Sequence, residues 1–248
     1  MRFGYDSSIL EVAPPLVAGV IWCRDIDNRT AIPAIEEMLA GAELRTREQF
    51  PEAADIARHP GIAAWREAYS KLGLTPNRYP CAAESLIRRV VTGGSIPNIS
   101  PLVNLCNAVS LDHAIPVAPF DLHLAEGDVT VRLATGDEVF RPIGSDDLES
   151  IPAGEAVYAD DTPEVLSRRW NWRQTGKGAI QPDSSDILIT AEAVHLEGHQ
   201  TVESVLAALA TGIEQHFGAT AQPSLLSLAS PWSQRSTTPQ EGPPHQLG

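Results

Sequence analysis

The segment SRRWNWR, residues 167–173, concentrates side chains that could bind a nucleotide. Arginine carries a forked, permanently charged group that pairs with phosphate, and tryptophan offers a flat surface on which a nucleobase can stack. If the segment is a strand, Arg168, Trp170 and Trp172 share one face and Arg173 lies on the other, because side chains alternate along a strand. The pattern predicts a local contact with single-stranded nucleotides. A half-buried strand with tryptophan inside and arginine outside is the structural alternative.

Two acidic residues follow apolar runs that are typical of strands. Asp160 comes directly after residues 157–159, and Glu192 comes at the end of the run 187–191. A carboxylate in such a position can accept a proton from water as a general base. A polar turn after Ala159, or the simple end of a strand, explains these acids equally well.

Other reactive groups lack the spacing that metal sites and nucleophiles need. Of 7 histidines, only His195 and His199 lie four residues apart, and no HExxH pattern encloses them, so we expect no metal site. Cys23, Cys81 and Cys106 are far apart without a CxxC motif, which favours a reduced compartment, the cytoplasm. The chain has no GxSxG motif and no phosphate-binding loop with its lysine, so we expect no bound cofactor.

Charge and composition limit the partners that the sequence predicts. The net charge is −14, from 32 acidic and 18 basic residues, so the surface as a whole repels polyanions. Extended, sequence-blind nucleic-acid binding is therefore disfavoured, DNA is not expected as a partner, and any RNA contact must be local. No stretch approaches the ~18 apolar residues of a membrane helix and the first residues do not resemble a signal peptide, so we predict a soluble protein without a membrane partner.

The spacing of apolar residues alternates between the strand and the helix period, which favours an α/β or α+β fold. We expect one domain over residues 1–219, with helices packed on a mixed, largely antiparallel sheet. The expected elements are a strand at 16–23, a helix after Pro33, two or three helices within 51–92, a helix at 100–113 that Ser100 and Pro101 begin, a hairpin at 129–141, strands at 157–159, 165–166 and 187–189, and a helix at 199–217.

The last part of the chain, residues 220–248, is rich in proline, serine and glutamine and has little that could form a packed element. Such a composition predicts a flexible tail outside the fold. Leu225, Leu226 and Trp232 leave open the alternative that part of the tail docks onto the body or onto a partner.

The stretch PLVNLCNAVSLDHAIPVAPFDLHLAEGDVTVRLA, residues 101–134, resembles a segment of the phenylalanyl-tRNA synthetase β subunit. That segment belongs to the B3/B4 domain, the editing module that hydrolyses tyrosine wrongly attached to the phenylalanine tRNA. The flanking stretches WREAYSKLGLTPNRYPCAAESLIRRVVTGGSIPNIS and VYADDTPEVLSRRWNWR resemble freestanding members of the family, and the resemblance covers roughly residues 15–215. It implies a B3/B4-like fold and a tRNA-binding protein that is not a full synthetase.

The resemblance further implies a function and a partner. The leading function is hydrolysis of misacylated aminoacyl-tRNA in trans, and the partner is the 3′ end of a tRNA or an aminoacyl-tRNA. The alternative is a non-catalytic module that binds tRNA, an amino acid or a protein.

Several positions match the family's editing pocket, and others depart from it. Asn107 corresponds to an asparagine that helps to line the pocket, and Asn104 lies one helical turn earlier. Ala118 takes the place of the editing histidine, shortly before Phe120, so the residues predicted to bind substrate include both. The pocket glutamate falls near Thr190. The family's small-residue loop falls at the bulky residues 169–170, which implies a pocket of different shape.

Hydrolysis without the histidine is still chemically possible, because orientation and electrostatics can activate an ester. On this hypothesis Asn107 orients the ester or the water, and Glu192 or Asp160 accepts a proton. Arg168 or Arg173 holds a terminal phosphate.

Overall fold

A computed structural model of the chain describes residues 1–235. These residues form two main sheets and seven helices. The strands are β1 Arg2–Tyr5, β2 Val17–Arg24, β3 Val117–Asp121, β4 Val129–Leu133, β5 Val139–Phe140, β6 Glu149–Ser150, β7 Ala156–Ala159, β8 Ser167–Arg168, β9 Arg173–Gln174, β10 Asp186–Ala193, β11 Gln222–Ser227 and β12 Trp232–Gln234. The helices are α1 Ser7–Val12, α2 Pro33–Gln49, α3 Ala53–Ile56, α4 Pro60–Lys71, α5 Ala82–Val91, α6 Pro101–His113 and α7 Gly198–Phe217.

The predicted fold class is confirmed. One sheet has the order β12-β1-β4-β7-β8-β9 and the other has the order β11-β2-β10-β3. Among these pairs only β1 and β4 run parallel in residues 1–235, and the rest are antiparallel. The structure is therefore a mixed, largely antiparallel arrangement with helices packed against it.

The alternation of side chains along β10 decides what lies on each face of the four-stranded sheet. Ile187 and Ile189 belong to the apolar cluster that includes the inner faces of α6 and α7. Leu188 belongs to the cluster shared with the six-stranded sheet, which includes Tyr158. By the same alternation Thr190 and Glu192 face the six-stranded sheet, so the strand carries polar groups into the layer between the sheets.

The predicted hairpin at 129–141 is wrong in its pairing. Strand β4 pairs with β1 and β7, whereas β5 pairs with β6. The cause is Glu138, a buried carboxylate that accepts hydrogen bonds from the backbone amides of Thr135 and Gly136 and pairs with Arg132. These bonds close residues 134–138 into a loop, and β5 leaves in another direction.

The segment SRRWNWR is not one strand, so the predicted alternation of its side chains is wrong. Strands β8 and β9 pair with each other, Ser167 opposite Gln174, and the residues between them form a tight turn. Arg169 and Trp170 have φ angles of 46° and 60°, the left-handed region that non-glycine residues rarely adopt. The expected strand at 165–166 starts two residues later, at Ser167.

The packed structure continues beyond the predicted boundary at residue 219. Strand β11 pairs with β2 and β12 pairs with β1, so each sheet gains an edge strand from this segment. Leu226 is only 2% exposed, and the Trp22 indole donates a hydrogen bond to the Ser233 hydroxyl at 2.9 Å. The remainder of the predicted tail, residues 236–248, lies outside the described residues.

The helices in residues 1–235 include none that combines the length and the apolar character needed to cross a membrane.

The edge strand β11 gives a stability prediction. We expect Leu226→Ala to lower the free energy of unfolding by about 2–5 kcal/mol, because it removes a buried side chain and leaves a cavity. Leu228→Ala is the matched control, since Leu228 is 59% exposed and its loss should cost less than about 0.5 kcal/mol. Denaturant unfolding measures both. Equal stability of the two variants would mean that residues 222–227 do not pack in solution.

Candidate functional site

A cleft of about 380 Å³ opens between α5, α6, β3 and the β8–β9 hairpin. Ala118 and Phe120 of β3 form part of its wall, together with Val103 of α6. Ile99 and Ile143, which are 62% and 63% exposed, stand at its rim. The cleft is thus mostly apolar, with a few polar groups that could orient a ligand.

The two asparagines of α6 have different surroundings. Asn104 is buried, accepts a hydrogen bond from the Ile99 amide at 3.2 Å and donates one to the Asn98 side chain at 2.6 Å. It therefore fixes the loop before the helix, and it does not line this cleft. Asn107 is half-buried in the cleft wall, and its side chain makes no hydrogen bond to any residue among 1–235. Asn107 presents a free amide to a ligand.

The charge of the cleft is opposite to that of the whole chain. Of the residues 1–235 that line it, none is acidic, whereas Arg89 and Arg173 are both exposed there. The guanidinium of Arg173 lies 4.4 Å from the ring centre of Trp172, another lining residue. In a chain with net charge −14, the cleft is a local site for an anionic ligand.

Glu192 lies behind the cleft and is almost fully buried. Its carboxylate accepts hydrogen bonds from the Tyr5 hydroxyl at 2.7 Å, the Trp170 indole at 2.8 Å and the Asn171 amide at 3.0 Å. Burial of a charge is costly unless hydrogen bonds compensate it, and three donors do so here. Glu192 is not among the residues that line the cleft.

Asn171 connects Glu192 to the cleft. Its amide nitrogen donates to Glu192, while its oxygen accepts from the Tyr69 hydroxyl at 2.9 Å and the Ala82 backbone amide at 3.3 Å. These contacts fix which side of the amide is the donor. Asn171 also lines the cleft, so the residue that holds Glu192 is part of the cleft wall.

Two positions that the resemblance singled out are neighbours in the sheet. Ala118 of β3 pairs with Thr190 of β10, and the Thr190 hydroxyl lies 3.4 Å from that of Tyr158. Ala118 lines the cleft, whereas Thr190 is buried in the layer between the sheets. No acidic side chain replaces the family's glutamate at the cleft surface in the described residues.

The structure places Asp160 away from the cleft, in a buried cluster of its own. Its oxygens accept hydrogen bonds from Lys177 at 2.7 and 2.8 Å and from the Glu126 amide at 2.8 Å. Burial alone would raise the pKa of Asp160, but the hydrogen bonds from Lys177 and its other donors outweigh it and lower the pKa. Asp160 is a structural anion here, which differs from the role of proton acceptor that the sequence suggested.

Arg168 and Trp170 also differ from their expected roles as ligands. The guanidinium of Arg168 is buried and pairs with Glu155 at 2.8 Å and Glu149 at 2.6 Å. Within residues 1–235 these two carboxylates and the burial of Arg168 leave its guanidinium inaccessible to a phosphate. Trp170 is fully buried and packs edge-on against Trp65. Of the predicted site residues, the cleft brings together Asn107, Ala118, Phe120, Trp172 and Arg173.

Sequence reasoning missed five polar residues of the cleft, which are Ser85, Arg89, Ser167, Asn171 and Gln174. Ser85 and Arg89 are one turn apart on α5, a spacing typical of any solvated helix face, so no sequence signal distinguishes them. Asn171 lies within SRRWNWR, and only the unexpected turn brings it to the cleft.

The thiols of the chain are unsuited to nucleophilic chemistry. Burial raises the pKa of Cys23 and Cys81 to about 12 and that of Cys106 further. A thiol with such a pKa carries almost no thiolate near neutral pH. Among residues 1–235, no cluster of three or more histidine, cysteine or acidic side chains could hold a metal ion.

Comparison with known proteins identifies the family. The model of the B3/4 domain matches residues 64–206, which is more than half of the chain. The chain belongs to the B3/4 domain family. Over 95 residues it is also 30% identical to the phenylalanine–tRNA ligase beta subunit of Shewanella oneidensis, an alignment that covers 38% of this chain and 11% of that protein. The chain therefore spans about a tenth of the length of this relative.

Among solved structures, an N-terminal fragment of the phenylalanyl-tRNA synthetase beta-subunit from Pyrococcus horikoshii matches with a TM-score of 0.45 and 12% identity. This match covers 88% of our chain and 49% of the fragment.

The B3/4 match contains every side chain that lines the cleft, from Ala82 to Gln174. It also contains Glu192 but not its partner Tyr5, which belongs to β1. The strand before the B3/4 region thus completes the hydrogen bonds behind the site.

The donors around Glu192 give a stability prediction. We expect Glu192→Gln to lower the free energy of unfolding by about 1–3 kcal/mol, because the new NH₂ group faces donors and at least one of them loses its acceptor. Glu203→Gln is the control, since Glu203 is exposed on α7 and, within residues 1–235, pairs with His199 alone. Chemical denaturation measures the effect. A Glu192→Gln variant as stable as the control would contradict the hydrogen bonding described above.

The buried tyrosines give a pH prediction. Burial, and for Tyr5 and Tyr158 also the nearby Glu192, raises the pKa of Tyr5, Tyr69 and Tyr158 well above the ordinary value. The unfolded chain releases these protons above about pH 10 and the folded chain does not, so stability is full below that pH and falls as pH rises above it. Tyrosinate absorbance should appear for these residues only on unfolding, and early ionisation of all 4 tyrosines would refute this.

Proposed function

We propose that the chain binds the aminoacylated 3′ end of a tRNA in the cleft and hydrolyses the ester there. The observation that carries this proposal is that the amide of Asn107 and the exposed guanidinium of Arg173 lie together in the cleft. Membership of the B3/4 family and the similarity to a tRNA ligase subunit support tRNA as the partner.

The size and chemistry of the cleft support an aminoacyl ester as ligand. Its volume of about 380 Å³ lies in the range of small-molecule sites. The apolar wall around Phe120 suits an uncharged amino-acid side chain, and the ring of Trp172 suits a terminal base. Arg89 and Arg173 would hold a phosphate of the strand.

Hydrolysis in this cleft relies on positioned donors. The oxygen of a bound water attacks the ester carbonyl, the bond from that carbon to the ribose oxygen breaks, and the ribose oxygen takes up the proton that the attacking water gives up. The amide N–H groups of Asn107 and Asn171 would stabilise the oxyanion that forms. Glu192 acts by holding Asn171 and does not touch the water in this scheme.

A non-catalytic binding module is the second candidate. It is favoured by one observation, that no carboxylate of residues 1–235 lines the cleft to accept a proton. Such a module would shield a bound ester from solvent and slow its spontaneous hydrolysis.

A deacylation assay separates the two functions. The chain in catalytic amount is incubated with a panel of correctly and wrongly acylated tRNAs, and the remaining ester is followed over time. A hydrolase shortens the lifetime of at least one ester, whereas a holder in excess over tRNA lengthens it. An unchanged lifetime for every ester, with no tRNA binding, would refute both.

The role of Asn107 gives a prediction for this assay. We expect Asn107→Ala to reduce ester cleavage by roughly 100-fold, as loss of an oxyanion donor does in other enzymes. Gln200→Ala is the control, because Gln200 is an exposed amide on α7 outside the cleft. Cleavage by Asn107→Ala at the rate of the control would exclude Asn107 from the reaction.

A further inference from the structure

We propose that Arg78, Tyr79, Arg169, Trp172 and Arg173 form a track that stacks the unpaired nucleotides of an RNA strand as it enters the cleft. We refer to these five residues as the arginine–aromatic track. The inference rests on the proposed function and extends it, because it names the part of the RNA that is bound outside the cleft.

The track is a row of alternating cations and rings. The guanidinium of Arg169 lies between two rings, 4.1 Å from the centre of Tyr79 and 4.6 Å from that of Trp172. Arg78 lies 5.1 Å from the Tyr79 ring, and Arg173 lies 4.4 Å from the Trp172 ring. The two rings meet edge to face with centres 5.0 Å apart. Each member thus contacts the next.

The track retains positive charge. Arg169 is partly neutralised by Glu155 at 3.5 Å, which also pairs with Arg168. Arg78 and Arg173 are exposed and form no ion pair with any residue among 1–235. A partner that approaches this surface therefore finds two unpaired guanidinium groups beside two partly exposed rings.

Single-stranded RNA is the partner whose chemistry fits both features. Its phosphates pair with guanidinium groups, and its unpaired bases stack on tyrosine and tryptophan, whereas a duplex hides its base faces. The short length of the track agrees with the net charge of −14, which opposes binding over a larger surface.

The track is continuous with the cleft. Trp172 and Arg173 belong to both, so a strand stacked on the track leads directly to Asn107. A bound 3′ end would place its last nucleotide in the cleft and the preceding ones on Tyr79 and Arg78.

The turn that contains Arg169 and Trp172 of the track is strained, and hydrogen bonds from buried side chains hold it in that conformation. Arg169 and Trp170 both have left-handed φ angles, and such backbone persists only where the surroundings enforce it. The Tyr69 hydroxyl shares its one proton between the Arg169 carbonyl and the Asn171 side-chain oxygen, each at 2.9 Å, and the buried Trp170 indole donates to Glu192 at 2.8 Å. These bonds fix Arg169 between the two rings before any RNA binds.

The test measures RNA binding by fluorescence anisotropy. The probes are a labelled single-stranded RNA octamer ending in CCA and a blunt RNA duplex of the same length. We expect the octamer to bind more tightly, Tyr79→Leu to weaken its binding by about tenfold, and Arg78→Ala to weaken it by about threefold with a shallower salt dependence. Arg58→Ala is the matched control, because it removes one exposed positive charge outside the track.

The outcomes are separable from those of the deacylation assay. Binding of the octamer by Tyr79→Leu and Arg78→Ala as tightly as by the parent chain overturns the track, even if ester cleavage is observed. Equal binding of duplex and octamer overturns it as well. Weakened octamer binding in these variants supports the track, and it does so also if no ester is cleaved and the proposed function fails.

Discussion

The buried carboxylate of Glu192 is the interaction on which the site depends. It joins three parts of the chain that are distant in sequence: Tyr5 of β1, the β8–β9 turn through Trp170 and Asn171, and its own strand β10. A charge in the layer between two sheets is tolerated only when its hydrogen bonds are complete. The turn therefore adopts the conformation in which Trp170 and Asn171 can donate hydrogen bonds to Glu192. Because Asn171 and Trp172 of the same turn line the cleft, this conformation also shapes the cleft.

This arrangement decides which polar groups line the cleft. The carboxylate is turned inward, and the group that reaches the cleft is the neutral amide of Asn171. Ala118 leaves the neighbouring wall without an acid or base, so the described part of the cleft contains amides, hydroxyl groups and arginines. Such a set can orient an ester and stabilise negative charge, but it cannot remove a proton from water at neutral pH. The hydrolysis proposed above would therefore depend on positioning by the described residues of the cleft.

The fold was predictable from the sequence where apolar spacing alone decides the structure. The strand around Leu188 and the helices α6 and α7 follow their predicted positions, because one face of each is buried. The errors arose where a polar side chain or a distant strand overrides local pattern: Glu138 closes a loop in place of a hairpin turn, and β11 completes β2 although its sequence resembles a linker. Within the site, the family resemblance allowed Asn107 to be predicted. Arg89 could not be predicted, because only tertiary packing brings α5 to the cleft.

The turn at Arg169 and Trp170 has two roles that a regular strand could not combine. In a strand, Trp170 and Trp172 would share a face and both would be buried or both exposed. The left-handed backbone separates them, so Trp170 donates to the core carboxylate while Trp172 remains at the cleft beside Arg169. The left-handed backbone of these two residues costs free energy. The hydrogen bond from the Trp170 indole to the buried carboxylate of Glu192 offsets that cost. The hydrogen bonding of the interior carboxylate and the contact between Arg169 and the Trp172 ring at the surface are therefore consequences of the same four-residue turn.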